Sequence, residues 1–222
     1  MKEAVRSYPV SRSRFDPSAS AGVRRRCNGR ELRAMAVEFP EVDGHPNRLP
    51  FEGCLTLVDV PSDKAPSGSR GHRVVLTRQA AEAALPSLLG MAVDYKAGWD
   101  GHDARQKCGI ITAAYLEGKK LLVQGYLFAR DYPEFNRDQF RRDQFHRAET
   151  AAGGLAAEGS TAMGMSYELA DAHVADMREP VWKLTRATFT GAAILLREKA
   201  AYRATSFHVR RGAQRRSATM PA

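Results

Sequence analysis

The sequence predicts a mainly β chain with helices, of the α+β class: an antiparallel β-barrel with helices packed outside it. Three observations predict this. Between residues 46 and 206, about seven short stretches are apolar and β-branched, and turn residues separate them. Only two or three stretches carry a helical period. Hydrophobic residues make up 43% of the 222, enough for one buried core.

Residues 1–45 are rich in Arg, Ser, Ala and Pro without a sustained period, and read as a disordered basic arm with a short helix at Arg30–Val37. Phe51–Val60 reads as a strand, Pro61–Gly71 as a loop and Arg73–Leu76 as a short strand. Thr77 is placed to cap a helix running to about Leu89, with Ala80, Ala84 and Leu88 on one face and Gly90 as its stop. Pro86 should kink or end it early. Met91–Tyr95 leads into a polar loop, Trp99–Gly109. Gly109–Tyr115 and Leu121–Phe128 form a hairpin through Glu117-Gly-Lys-Lys120. Residues 132–160 are polar and alanine-rich and repeat Arg-Asp-Gln-Phe at 137–140 and 142–145. A period of five fits neither helix nor strand faces, so this reads as a helical insertion ending at Gly153-Gly154. Thr161–Leu169 and Trp182–Ala187 are strands around a turn, and Thr188–Leu196 is another strand. The domain expected from this is 46–206, with 207–222 as a basic tail.

The formal net charge is +9, unevenly spread. Residues 1–34 carry +6 and residues 203–222 carry +5, leaving −2 on 35–202. The body is therefore not a basic nucleic-acid-binding surface. The tails are either solvated or hold polyanions and acidic protein surfaces without sequence specificity. No run of eighteen apolar residues exists, so no membrane span is expected. The basic N-terminus lacks an apolar segment, so neither is a secretory signal. Cys27, Cys54 and Cys108 match no disulfide framework or metal spacing and suit a reducing compartment.

One serine, Ser166, lies in the apolar segment Met163-Gly-Met-Ser-Tyr-Glu-Leu169. His102 lies at the centre of the polar loop, 64 positions earlier. Serine needs a base within hydrogen-bond reach to become a nucleophile. Residue types alone leave the alternative open: a strand serine and a solvated loop histidine. Asp100 and Asp103 flank His102, but neighbours that close in sequence usually point apart. Cys108 opens an apolar strand and reads as buried rather than reactive. His146 and Glu149 are three apart, a metal-like pair without a third ligand. No cofactor or metal is expected.

The order of these motifs resembles that of the capsid-maturation (prohead) serine proteases of tailed phages, which are similar in turn to the herpesvirus assemblins. The likeness is carried by Phe51-Glu-Gly-Cys-Leu-Thr-Leu57, Cys108-Gly-Ile-Ile-Thr112, Gly125-Tyr-Leu-Phe-Ala-Arg-Asp131, Gly164-Met-Ser-Tyr-Glu168 and Phe189-Thr-Gly-Ala-Ala-Ile-Leu195. It covers roughly residues 50–206. The resemblance implies a closed barrel flanked by helices, with Ser166 as nucleophile and His102 as general base. The implied activity is endoproteolysis of scaffold and major capsid proteins inside an immature phage head in the host cytoplasm. The implied partners are those substrates and a second copy of the chain, and self-cleavage of the tails would follow. At the third catalytic position, where assemblins have a histidine and many phage relatives an acid, this chain has Thr190, 24 positions after Ser166. Thr190 is the orienter expected from the resemblance; Asp94 and Asp176 are the acids that could replace it. Arg197 is the matching oxyanion candidate. The departure at Thr190 keeps a second reading open: a catalytically weak or inactive assembly protein on the same fold, binding through its basic tails.

Overall fold

The computed structural model describes residues 45–135 and 162–210 in full, and the backbone of residue 136 and of three short strands nearer the N-terminus. Those strands are β1 (Arg25–Cys27), β2 (Arg30–Leu32) and β3 (Ala34–Ala36). β1 and β2 pair with each other, and β3 pairs with a later strand. The helix expected at Arg30–Val37 is thus replaced by strand. Of the insertion expected at 132–160, Pro133–Asn136 form a 3-10 turn; its remainder from 137, the His146–Glu149 pair and the last twelve residues lie outside the described part.

The strands that follow are β4 (Leu49–Leu57), β5 (Arg73–Leu76), β6 (Ala92–Tyr95), β7 (Lys107–Glu117), β8 (Lys120–Leu127), β9 (Met163–Val174), β10 (Val181–Leu196) and β11 (Ser206–Val209). They pair in the order β11-β4-β8-β7-β6-β10-β5, with β9 on β10 and β3 on β7. β8 shows why sequence reading works here. Its burial alternates strictly, with Leu121, Val123 and Leu127 inward, as a half-buried strand requires. Each such large apolar side chain contributes roughly 1.5–3 kcal/mol on burial.

The sheet differs from the expected barrel in two respects. β10 runs parallel to both β5 and β6, so the sheet is mixed. It is also not closed. β9 leans over β4, where the Met165 sulfur fills the space above Gly53, but among the described residues no ladder joins them. β11 carries the sheet to Val209, past the domain boundary expected at 206.

Among the described residues there is one α-helix, α1 (Arg78–Ala84). Thr77 caps it, its hydroxyl accepting from the Ala80 N–H at 3.3 Å and donating to the Leu184 carbonyl at 2.9 Å. Proline has no N–H to extend the α ladder, and the chain tightens into a 3-10 turn at Leu85–Leu88, which contains Pro86. Gly90 then takes φ 76°, a conformation that ends helices at little cost to glycine. No helix of the described residues is long and apolar enough to cross a membrane.

Candidate active site

Three adjacent strands set up the site. β6 and β10 pair with Asp94 opposite Ala193. β10 and β9 pair with Ala193 opposite Ser166. Residues paired across strands present their side chains to the same face. Asp94, Ala193 and Ser166 therefore form one row, the outer two separated by two strand spacings, roughly 9–10 Å. Ala193 in the middle is small and fully buried.

A slip in the neighbouring ladder determines what Asp94 meets. β6 and β7 pair Val93 with Gly109 and then Asp94 with Lys107, so Cys108 is the extra residue of a bulge. Without the slip, Cys108 would oppose Asp94. With it, the Lys107 ammonium reaches Asp94 Oδ2 at 2.9 Å. Cys108 is instead fully buried, its thiol donating to the Val93 carbonyl at 3.4 Å. Burial and the nearby Asp94 push that thiol well up, so it is no nucleophile.

His102 comes in from the loop between β6 and β7. Its side chain is 20% exposed, and its Nδ1 is buried. Two carboxylates flank that nitrogen: Asp94 Oδ1 at 3.5 Å and Glu168 Oε1 at 3.7 Å. Both are ion-pair distances rather than hydrogen bonds. Asp94 is almost fully buried, at 1% exposure. Burial alone would raise its carboxyl, but His102 and Lys107 outweigh that and hold it below the ordinary carboxylate value. The Asp103 amide adds a longer contact to Oδ1 at 3.4 Å. Glu168 is half exposed, and its carboxylate lies over Gly191, where a Cβ would fall 2.6 Å from Oε2. Gly191 is therefore the residue that lets this carboxylate fold back toward the imidazole.

The acids next to His102 in sequence do point elsewhere. Asp100 pairs with Lys96 at 3.1 Å, and Asp103 pairs with Arg105 at 3.2 Å. Asp176 accepts from the Arg178 amide at 2.9 Å in the β9–β10 turn.

Ser166 and His102 line one cleft of about 960 Å³, together with Glu168 and Thr190. No hydrogen bond joins Ser166 Oγ to the imidazole among the described residues. Catalytic hydrogen bonds are often long in unliganded enzymes and tighten around substrate. The cleft continues along an apolar end formed by Val74, Val174, Met177, Trp182 and Leu184.

Two further residues expected at the site are placed as follows. Thr190, expected to orient His102, is the extra residue of a bulge in β10, between Phe189 opposite Leu169 and Gly191 opposite Glu168. The bulge leaves Thr190 exposed at the cleft wall, while the sheet groups against Nδ1 are Asp94 and Glu168. Arg197, expected to serve the oxyanion, spends its amide on the Ala162 carbonyl at 2.8 Å and is not among the residues lining the cleft. Glu168 was missed, although it lies two positions from Ser166 on one strand, a spacing that puts both side chains on one face.

No family model and no curated protein matches the chain. Among solved structures, the KSHV protease in complex with a hexapeptide phosphonate inhibitor aligns with a TM-score of 0.29 and 10% sequence identity. The match covers 66% of this chain, which spans 59% of the length of that one. A likeness so distant assigns neither an activity nor a substrate.

Proposed function

We propose that this protein is a serine endopeptidase in which His102, held by Asp94, activates Ser166. The observation that carries this reading is the row Asp94–Ala193–Ser166 with the His102 imidazole beside its acidic end. A buried, ionised carboxylate is what stabilises an imidazolium as it forms. In the reaction, His102 takes the hydroxyl proton as Ser166 Oγ attacks the scissile carbonyl. It returns that proton to the leaving amine as the C–N bond breaks, leaving an acyl-serine. Water, deprotonated by the same imidazole, then releases the acid and restores the serine.

The motif resemblance supplies the finer reading. Its substrates are scaffold and major capsid proteins inside an immature phage head in the host cytoplasm, where it works with a second copy of itself. Residues 46–206 form the catalytic body, and the basic ends contact polyanions or acidic scaffold.

The missing Ser166–His102 hydrogen bond favours one second reading, an assembly protein with a weak or silent site. A serine-reactive phosphonate separates the two. Covalent labelling of the wild type, lost in Ser166→Ala and His102→Ala, is expected of the enzyme. The double variant should be no worse than either single one, because the pair acts as a unit. Equal labelling of wild type and Ser166→Ala, or none of either, would count for the second reading.

A further inference from the structure

The loop that carries His102 turns on an unusual residue. Trp99 has φ 59°, directly after Gly98 at φ 89°. Glycine takes this left-handed conformation freely, but a bulky side chain there is strained. Both backbone groups of Trp99 are nonetheless used. Its N–H donates to the Lys96 carbonyl at 2.8 Å, and its carbonyl accepts from the Leu196 N–H at 2.8 Å. The second bond ties the loop to the end of β10, three residues beyond Ala193 in the row described above.

The side chain explains why a tryptophan occupies the position. Its ring stacks on Tyr95 at 4.9 Å and meets Phe135 edge-on at 5.8 Å. Tyr95 in turn meets Phe135 at 5.5 Å and Tyr132 at 5.8 Å, and its hydroxyl donates to Glu134. Aromatic pairs in these geometries contribute beyond their buried area. The cluster therefore holds Trp99 in a conformation that its backbone alone disfavours. Three residues later the chain presents His102 to Asp94.

We propose that Trp99 is the positioning residue of the His102 loop: its ring, locked between Tyr95 and Phe135, fixes the left-handed turn that sets the imidazole beside Asp94. This rests on the endopeptidase reading only for its kinetic consequence. The structural consequence stands separately.

The test uses the full chain in three forms: wild type, Trp99→Gly and Trp99→Phe. Trp99→Gly relieves the backbone and removes the ring, so hydrogen exchange at the amides of Gly101–Asp103 should accelerate. Phosphonate labelling should slow by about tenfold to a hundredfold, the range a small misplacement costs, with kcat falling and KM little changed. Trp99→Phe keeps a ring and should retain most of the rate. Wild-type exchange across Gly101–Asp103 in Trp99→Gly overturns the proposal. So does a rate loss that merely follows the unfolded fraction. If Trp99→Gly does not fold, Phe135→Leu removes the ring's partner without touching the loop, and unchanged exchange there is equally decisive. If wild type is never labelled, the endopeptidase reading fails, while the exchange result still decides the role of Trp99.

Discussion

The two walls of the cleft are held in different ways. Ser166 and Ala193 belong to a ladder, where backbone hydrogen bonds on neighbouring strands fix each position to within one register step. His102 belongs to a loop, fixed by contacts to Asp94 and Glu168, a strained tryptophan and a cluster of four aromatic rings. Asp94 joins the two walls. It is part of the ladder through β6 and of the loop through His102 and the Asp103 amide. With the proposed nucleophile on a ladder and the proposed base on a loop, the site has one rigid component and one adjustable one. Substitutions in the ladder should therefore act through space and charge, and those in the loop through orientation.

Removing the group shared by both walls should have the largest effect. Asp94→Asn keeps the shape but removes the charge that fixes the imidazole. We expect phosphonate labelling to fall by about a thousandfold or more, as loss of a buried orienting carboxylate does elsewhere. Stability should fall too, because the Lys107 ammonium loses its partner. The carboxyl is held below its unfolded value, so its contribution is present above about pH 4 and is lost as pH falls through the folded value. Acid unfolding of wild type should accordingly be steeper than that of Asp94→Asn, followed by circular dichroism between about pH 2 and pH 5. Parallel acid titrations would remove Asp94 from this role.

Space is the next lever. Ala193 is fully buried between Asp94 and Ser166. Ala193→Val adds two methyl groups there, and overpacking costs about 1–3 kcal/mol. We expect labelling to drop by about tenfold to a hundredfold in the fraction that remains folded, since an imidazole displaced by about 1 Å loses that much. A variant that loses stability but labels at the wild-type rate would show that the ring does not stand over this residue.

Charge at the exposed face of the ladder should matter less. Glu168 is half exposed, and solvent screens such pairs to under about 1 kcal/mol. Glu168→Gln should slow labelling by about twofold to fivefold. Gly191→Ala, whose new methyl would meet Glu168 Oε2, should reproduce the loss without altering any charge. A change as large as that of Asp94→Asn would make Glu168 the principal acid.

What the sequence made legible follows the same division. β5 matches its expected span, the β7–β8 hairpin turns at Gly118 as read, and α1 is capped by Thr77 and ends early, at Ala84 just before Pro86, as its residues suggest. Local periodicity and turn chemistry carry that information. The parallel placement of β10 against β5 and β6 was not legible, because those partners lie about a hundred residues apart and no local pattern encodes them. The bulges at Cys108 and Thr190 were likewise hidden. Each shifts a register by one residue, and together they place Lys107 opposite Asp94 and leave Thr190 at the cleft wall. Ser166 and His102 could be singled out by motif; their acidic neighbour could only be one of several candidates until the strands were paired.

The smallest expected effect is at the position sequence reading favoured. Thr190 lines the same cleft as Ser166, but it is exposed and its neighbour Phe189 donates its amide to Ser87 Oγ at 3.0 Å. That bond anchors the bulge through the backbone, so the Thr190 side chain is not what maintains it. Valine keeps the β-branched shape and removes only the hydroxyl. Thr190→Val should label within about twofold of wild type, because an exposed hydroxyl that exchanges one water contact for another contributes little net free energy. Thr190→Asp places a third carboxylate near the imidazole, yet Asp94 already occupies the buried side of Nδ1, so no gain is expected. A tenfold loss in Thr190→Val, or a gain in Thr190→Asp, would mean that the histidine turns from the ladder acid toward the bulge when substrate binds. The exposed wall would then supply the orienting group, reversing the assignment of roles between the two sides.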